Sequence, residues 1–318
     1  MNVSLAANLL NEGQVVAVPT ETVYGLAANA LNVSAVMDIF RIKGRPEFDP
    51  LIVHCLNKEQ AFSYALNIPD LAFKFAESFW PGPLTLVLQS NGEIPSEVTS
   101  GLPTVALRVP SHPLFQELLN LLNFPLAAPS ANPFGYVSPT TAEHVYAQLG
   151  SKIPYILNGG PCQYGLESTI VGFDKDLPVI LRLGALTLKE IKTICPKLKI
   201  QLKSLSNPKS PGQLSVHYAP SKKVIFIHNQ DVPPPSHSNM AFLSFGGQPI
   251  PEGYTELSLS KNGDYFEAAR NLYKLLRTFD SGPWSELVTT ALPEDDSGLA
   301  MAINDRLTRA AAQSITHL

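Results

Sequence analysis

The residues of this chain best equipped for chemistry are cations set where cations are scarce. Arg41-Ile42-Lys43-Gly44-Arg45-Pro46 places three positive charges in five residues of a chain in which only 16% of residues are charged. Gly44 lets the backbone approach a ligand closely and the Pro46 ring stiffens the turn, so Lys43 and Arg45 are presented from a fixed loop. From charge alone the cluster is either a polyanion-binding loop or a solvated surface turn. Arg108 interrupts the apolar run Val105-Ala106-Leu107-Arg108-Val109-Pro110, where strand alternation buries every second residue. A guanidinium there needs an anionic ligand or an internal acid. Arg182 repeats the situation in Val179-Ile180-Leu181-Arg182-Leu183-Gly184. Two arginines so placed favour one shared anionic ligand over two separate salt bridges.

Hydroxyl and amide groups accompany these cations. In Pro129-Ser130-Ala131-Asn132-Pro133, Ser-x-Asn presents a hydroxyl and a carboxamide to one side of an extended segment, which suits a phosphate or a ribose but also an ordinary turn. Ser168-Thr169 leads a hydroxyl pair into an apolar strand. His54, ending Pro50-Leu51-Ile52-Val53-His54-Cys55, reads either as a core histidine or as a ligand, and His217 is equally open. The chain has no P-loop, no glycine-rich dinucleotide fingerprint, no nucleophile elbow and no His-Glu-x-x-His helix. Its three cysteines, Cys55, Cys162 and Cys195, are too far apart for a zinc motif or a disulfide framework.

The elements that must position these groups alternate between strand and helix, as in an α/β sheet. Residues 4–12 read as a helix with Ser4 as N-cap and Gly13 as its end; 14–19 read as a buried strand running into the polar loop 20–25. Helices are predicted at 34–41, 70–79, 112–122, 141–149 and 187–194. Strands are predicted at 50–55, 84–88, 105–109, 126–128, 155–158, 168–173 and 179–182. Between 197 and 223 the chain is rich in Ser, Pro and Lys without a clear period, which places a boundary there. Strands at 224–227, 241–245 and 287–291, with helices at 265–279 and 299–314, form a smaller α/β unit. The sequence therefore predicts a domain over 1–200, a linker and lid over 201–222, and a small α/β domain over 223–318.

Composition sets the class. The 318 residues carry 23 Lys and Arg against 27 Asp and Glu, a net charge of −4, which disfavours a strongly basic nucleic-acid module. With 45% hydrophobic residues the chain is globular, and its 28 prolines demand many loops and strand ends. No run approaches the roughly 18 apolar residues of a membrane span, and the N-terminus lacks a basic, signal-like region. The expectation is a soluble, cytoplasmic protein.

As a set, the motifs resemble one family, the long, two-domain form of threonylcarbamoyl-AMP synthase with a YrdC-type first domain. They are Pro19-Thr20-Glu21-Thr22-Val23-Tyr24-Gly25-Leu26, Lys43-Gly44-Arg45-Pro46 with Pro50-Leu51-Ile52-Val53-His54, Trp80-Pro81-Gly82-Pro83-Leu84-Thr85, the run 105–110, Ala128-Pro129-Ser130-Ala131-Asn132, Glu167-Ser168-Thr169-Ile170-Val171 and Ile180-Leu181-Arg182-Leu183-Gly184. They cover residues 13–186 in order. Ser210-Pro211-Gly212-Gln213, His217-Tyr218-Ala219-Pro220 and the tail 298–307 extend the match through the second domain. The resemblance implies a YrdC-like twisted mixed sheet with flanking helices, a linker, and a smaller Rossmann-like α/β domain.

It also implies a nucleotidyltransferase that makes threonylcarbamoyl-AMP and pyrophosphate from L-threonine, bicarbonate and ATP with Mg²⁺, for tRNA threonylcarbamoyladenosine. A downstream tRNA threonylcarbamoyl transferase would receive the product, and direct tRNA binding would be weak. On matching positions, Thr22, His54, Arg108, Ser168 and the backbone at Ala128 would hold threonine. Lys43, Arg45, Asp49, Thr104, Ser130, Asn132, Ser138, Arg182 and Tyr218 would hold ATP, with Lys43 and Arg45 neutralising the triphosphate. At Asp49 the family usually carries Asn; an acid there either faces Mg²⁺ or makes a weaker contact. The segment 210–220 is the candidate lid. Two other readings compete: a double-stranded RNA binder without catalysis, and a carbamoyl-phosphate-using transferase, whose zinc-binding cysteines are absent here.

Overall fold

A computed structural model of the chain describes residues 2–202, 217–227, 232, 234–236 and 239–312. Eleven strands form one mixed sheet: β1 Val16–Val18, β2 Gly25–Asn29, β3 Ile52–His54, β4 Ala65–Leu66, β5 Leu84–Ser90, β6 Thr104–Arg108, β7 Leu126–Ala127, β8 Tyr155–Ile156, β9 Thr169–Asp174, β10 Leu177–Arg182 and β11 Lys199–Ile200. Their order is β11-β10-β9-β5-β6-β3-β7-β2-β1-β8, with β4 paired to β5. Four more strands, β12 Lys223–Ile227, β13 Met240–Ser244, β14 Thr255–Ser258 and β15 Glu286–Thr290, form a second, all-parallel sheet in the order β12-β15-β13-β14. Helix Tyr265–Ser281 crosses over from β14 to β15 and helix Leu299–Ala311 follows β15, which is the α/β pattern expected of the smaller unit.

Local sequence explains most element ends. Helix Val33–Lys43 starts at Asn32, whose side chain accepts from the Ala35 amide, and stops at Gly44, which takes the left-handed φ of 63°. Helix Leu188–Ile194 opens with a capping box between Thr187 and Glu190. The first helix is Val3–Asn11, and its cap is Asn2, which accepts from the Leu5 amide at 2.9 Å; Ser4 lies inside the first turn instead of capping it. Strand β2, Gly-Leu-Ala-Ala-Asn, carries no strand-forming signal of its own. It is extended because it pairs with β1 and β7, an instance of tertiary context overriding propensity. In the same way β11 lies within the stretch that reads as aperiodic and pairs in parallel with β10.

One face of the large sheet and its helices form the main core, which includes Val36, Ile39, Phe75, Leu86 and Val145 and continues into Tyr273, Leu276, Ile303 and Leu307 of the second unit. Each such large apolar side chain contributes about 1.5–3 kcal/mol by leaving water. The opposite face is covered at one end by helices Val3–Asn11 and Pro113–Asn120, packed on Val16, Val18, Ala27 and Leu126. Farther along it carries a small apolar strip of Ile52, Val87, Ala106, Ile170, Val179 and Leu181. The site lies on this second face. Among the described residues no helix is long and apolar enough to cross a membrane.

Candidate active site

Strand register assembles the site. Leu126 pairs with His54, His54 with Arg108, Arg108 with Thr85, Thr85 with Ile170 and Ile170 with Arg182, a continuous row across β7, β3, β6, β5, β9 and β10. Paired residues share a face, so the row brings His54, Arg108 and Thr85 side by side. A register shift between Ile180 and Arg182 in β10 inserts Leu181 and brings Arg182 onto the same row. Beside it, the Gly184 turn passes so close to the preceding strand that a Cβ at Gly184 would lie 2.2 Å from the Glu167 carbonyl oxygen.

Above this row lies a cavity walled by Thr22, Arg45, His54, Arg108, Ala128, Ser130, Ser168, Arg182 and Tyr218 from the sequence-predicted set, together with Thr20, Tyr24, Glu167 and His217. Arg108 is buried. Its Nη2 donates to Glu21 Oε1 at 2.6 Å and to Thr22 Oγ1 at 3.0 Å, and its Nε reaches the Gly82 carbonyl at 3.4 Å. Nη1 has no hydrogen-bond partner among the described residues. Arg108 therefore does have an internal acid, contrary to the expectation of a shared ligand in place of salt bridges, and keeps one edge for a ligand as well. Arg182 uses a carbonyl and a hydroxyl: Nε and Nη2 donate to Ser168 O at 3.1 and 3.0 Å, and Nη2 also reaches Ser168 Oγ at 3.0 Å. Ser168 Oγ in turn lies 2.7 Å from Thr85 Oγ1. The Ala128 amide donates to Ile52 O, which leaves its carbonyl for other partners.

Burial shapes the charges. His54 is pushed down to about 3, first by desolvation and then by the Arg108 charge, so it is neutral at physiological pH, and its Nδ1 has no partner. His217 is likewise pushed down to about 3 by burial. Lys43 is lowered well below the ordinary lysine value by burial and by Arg45; its Nζ donates to the Ser130 and Asn132 carbonyls. Arg45 Nε and Nη2 donate to the Asp49 and Pro50 carbonyls, and Nη2 lies 2.8 Å from Asp49 Oδ2. Burial raises the Asp49 carboxyl against the opposing pull of Arg45, Lys43 and Arg182, and neither of its oxygens has an aligned hydrogen-bond donor.

Five predicted residues stand outside the cavity wall. Lys43 and Asp49 sit behind it, next to Arg45. The Asn132 carboxamide does not share a side with Ser130: its Nδ2 donates to the Pro133 and Tyr136 carbonyls and braces the loop. Ser138 Oγ donates to Glu167 Oε1 at 2.7 Å. Thr104 lines a separate hollow with Val87, Val179 and Leu181, four residues or about 13 Å along β6 from Arg108. Of the predicted lid, residues 203–216 lie outside the described residues; Tyr218 is buried, with its ring 4.0 Å from that of His217.

Sequence reasoning missed Glu21, Glu167 and Arg306 as members of the buried charge cluster, although all three stand inside quoted motifs, and missed Tyr273, for which no local signal exists. Among the described residues no group of three metal-ligating side chains occurs.

Residues 8–184 match the Sua5, YciO and YrdC family described as telomere recombination, and residues 186–312 match threonylcarbamoyl-AMP synthase, C-terminal domain. The chain is 39% identical to threonylcarbamoyl-AMP synthase of Pyrococcus abyssi, over 98% of this chain and 95% of that one. It is 38% identical to the enzyme of the same name from Bacillus subtilis, over 97% and 92% of the two chains. The crystal structure of P. abyssi Sua5 complexed with L-threonine superposes with a TM-score of 0.87 at 38% identity, covering 97% of this chain and 94% of that one. Motifs, mixed sheet and full-length similarity agree: this chain belongs to the threonylcarbamoyl-AMP synthase family, in its two-domain form.

Proposed function

We propose that the cavity binds L-threonine and ATP side by side and joins them, through bicarbonate, as threonylcarbamoyl-AMP for tRNA modification. The observation that carries this reading is the convergence of the buried Arg108, Arg45 and Arg182 on one cavity lined by hydroxyls. In it, Arg108 Nη1 receives the threonine carboxylate, in charge-assisted geometry suited to a guanidinium. Neutral His54, Thr22, Ser168 and the Ala128 carbonyl surround the rest of the amino acid. Arg45 and Arg182, with Lys43 behind the wall, draw the triphosphate; Ser130 and Tyr218 flank the nucleotide, while Asn132 and Ser138 act by holding their loops. The apolar strip from Ile52 to Leu181 offers the base a flat surface, with Thr104 at its far end.

The chemistry needs no protein nucleophile. Threonine nitrogen and bicarbonate give an N-carboxylate and water; a carboxylate oxygen then bonds to the α-phosphorus as the bond to the β-phosphate bridging oxygen breaks and pyrophosphate leaves. The protein contributes proximity and charge neutralisation, and burial protects the labile carbamate and mixed anhydride from water. Mg²⁺ is a hard ion that takes oxygen ligands. Phosphate and water would hold the ion; Asp49, behind the cavity wall with Oδ2 2.8 Å from Arg45, would act on it from there by charge. When bound, the ion neutralises phosphate charge.

The test is pyrophosphate release from ATP with and without L-threonine and bicarbonate. Release that requires both is expected; threonine-independent release would point to another ligase. A duplex-RNA reading has no support in a buried cavity on a chain of net charge −4.

A further inference from the structure

Glu167 is the point where the second unit meets the cavity. It is buried in the cavity wall, one residue before Ser168, to which Arg182 donates. Two side chains from helices of the second unit reach it. Tyr273 OH donates to both carboxylate oxygens at 2.9 Å, and the fully buried Arg306 approaches Oε2 with Nη2 at 3.2 Å and Nε at 3.4 Å. The same two residues grip Tyr218. The Tyr273 ring stacks on it at 5.6 Å, and the Arg306 guanidinium lies 5.3 Å from its ring centre. Tyr218 needs such a grip, because its backbone is held at a left-handed φ of 65°, which costs a non-glycine residue free energy.

We infer that Arg306 and Tyr273 are positioning residues for the nucleotide: they neutralise and hold Glu167, so that the positive charge of Arg182 acts on the ligand and is not cancelled by its neighbouring acid. The inference rests on the nucleotide reading of Arg182 given above. Its logic is a charge count in one buried cluster. Arg306 also faces Asp305, which pairs with Arg309, so Glu167 and Asp305 against Arg306, Arg182 and Arg309 leave one positive charge beside the cavity. Without Arg306 the two acids and two remaining arginines sum to zero, in surroundings where charges interact strongly. The mutual influence is visible in Glu167, whose carboxyl burial would raise but which Arg306 and Arg182 bring below the ordinary value. The second unit is then part of the active site although it supplies no group that touches substrate.

The experiment is calorimetry on the full chain with a non-hydrolysable ATP analogue and, separately, L-threonine. Arg306→Met is expected to weaken the nucleotide more than about tenfold and L-threonine less than about threefold. Tyr273→Phe should weaken the nucleotide by about threefold. The double variant Glu167→Gln/Arg306→Met should bind nucleotide within about threefold of the parent, because with the carboxylate gone there is nothing left for Arg306 to neutralise. A double variant no better than Arg306→Met, or equal losses of both ligands, overturns the inference. Should Arg306→Met fail to fold, the double variant is compared with Glu167→Gln alone: equal nucleotide affinity supports the inference, and a further loss on removing Arg306 overturns it. A parent protein that binds L-threonine but no nucleotide would overturn the nucleotide reading itself, and this inference with it.

Discussion

Arg108 and Glu21 form a buried ion pair at 2.6 Å in which the acid occupies Nη2 of the guanidinium and leaves Nη1 without a partner among the described residues. The acid fixes the orientation of the cation, and the unpaired edge sets where a carboxylate can dock. A buried arginine of this kind is divided between structure and recognition, and both consequences can be measured.

Arg108→Ala should abolish L-threonine binding while lowering ATP-analogue affinity by no more than about threefold. It also strands a buried Glu21, so unfolding stability should fall by about 3–5 kcal/mol. Calorimetry with each ligand and urea denaturation check both parts; equal loss of the two ligands would mean that Arg108 serves a different group.

Asp49→Asn removes the acid that lies against Arg45 and beside Lys43. Nucleotide affinity at low Mg²⁺ should rise by about threefold, and the Mg²⁺ concentration for half-maximal pyrophosphate release should shift. An unchanged Mg²⁺ titration would take Asp49 away from the metal–phosphate region.

Stability should depend on pH through buried and half-buried histidines. His54 and His217 are lowered to about 3 and His144 to about 4, from an ordinary value of 6.5, and burial lowers His112 as well. Folded values below the unfolded one mean that the unfolded chain binds more protons between about 6.5 and 4, so stability is full above that window and falls as the pH drops through it. Each histidine contributes a slope approaching about 1.4 kcal/mol per pH unit. Urea midpoints at pH 7 and pH 5 read this directly, and His217→Gln should reduce the difference by about a quarter.

Gly184→Ala tests the turn that places Arg182. The new Cβ would fall 2.2 Å from the Glu167 carbonyl oxygen, so the strand leading to Ser168 must move. A cost of about 3 kcal/mol or more is expected, together with loss of nucleotide affinity in whatever protein folds. Parent-like melting and binding would show that the turn relaxes freely.

Much of the site is readable in the amino-acid sequence because its pieces are local. The turn holding Lys43 and Arg45, the Ser-x-Asn segment and the hydroxyls at Ser168 and Thr169 are defined by near neighbours, as are the cap at Asn32 and the stop at Gly44. Arg108 and Arg182 stand out because a charge inside an apolar run must be compensated. What that compensation is could not be read, since Glu21 and Glu167 are chosen by packing between distant segments. The row linking His54, Arg108, Thr85 and Arg182 arises from pairing across strands far apart in the chain, and the inserted Leu181 decides which face Arg182 takes. Asn132 and Thr104 look the same in sequence as Ser130, yet one is turned into its own loop and the other is carried about four residues down a strand. Register, bulges and buried charge pairs are long-range properties, settled only when the sheet closes and the second unit brings Tyr273 and Arg306 onto Glu167.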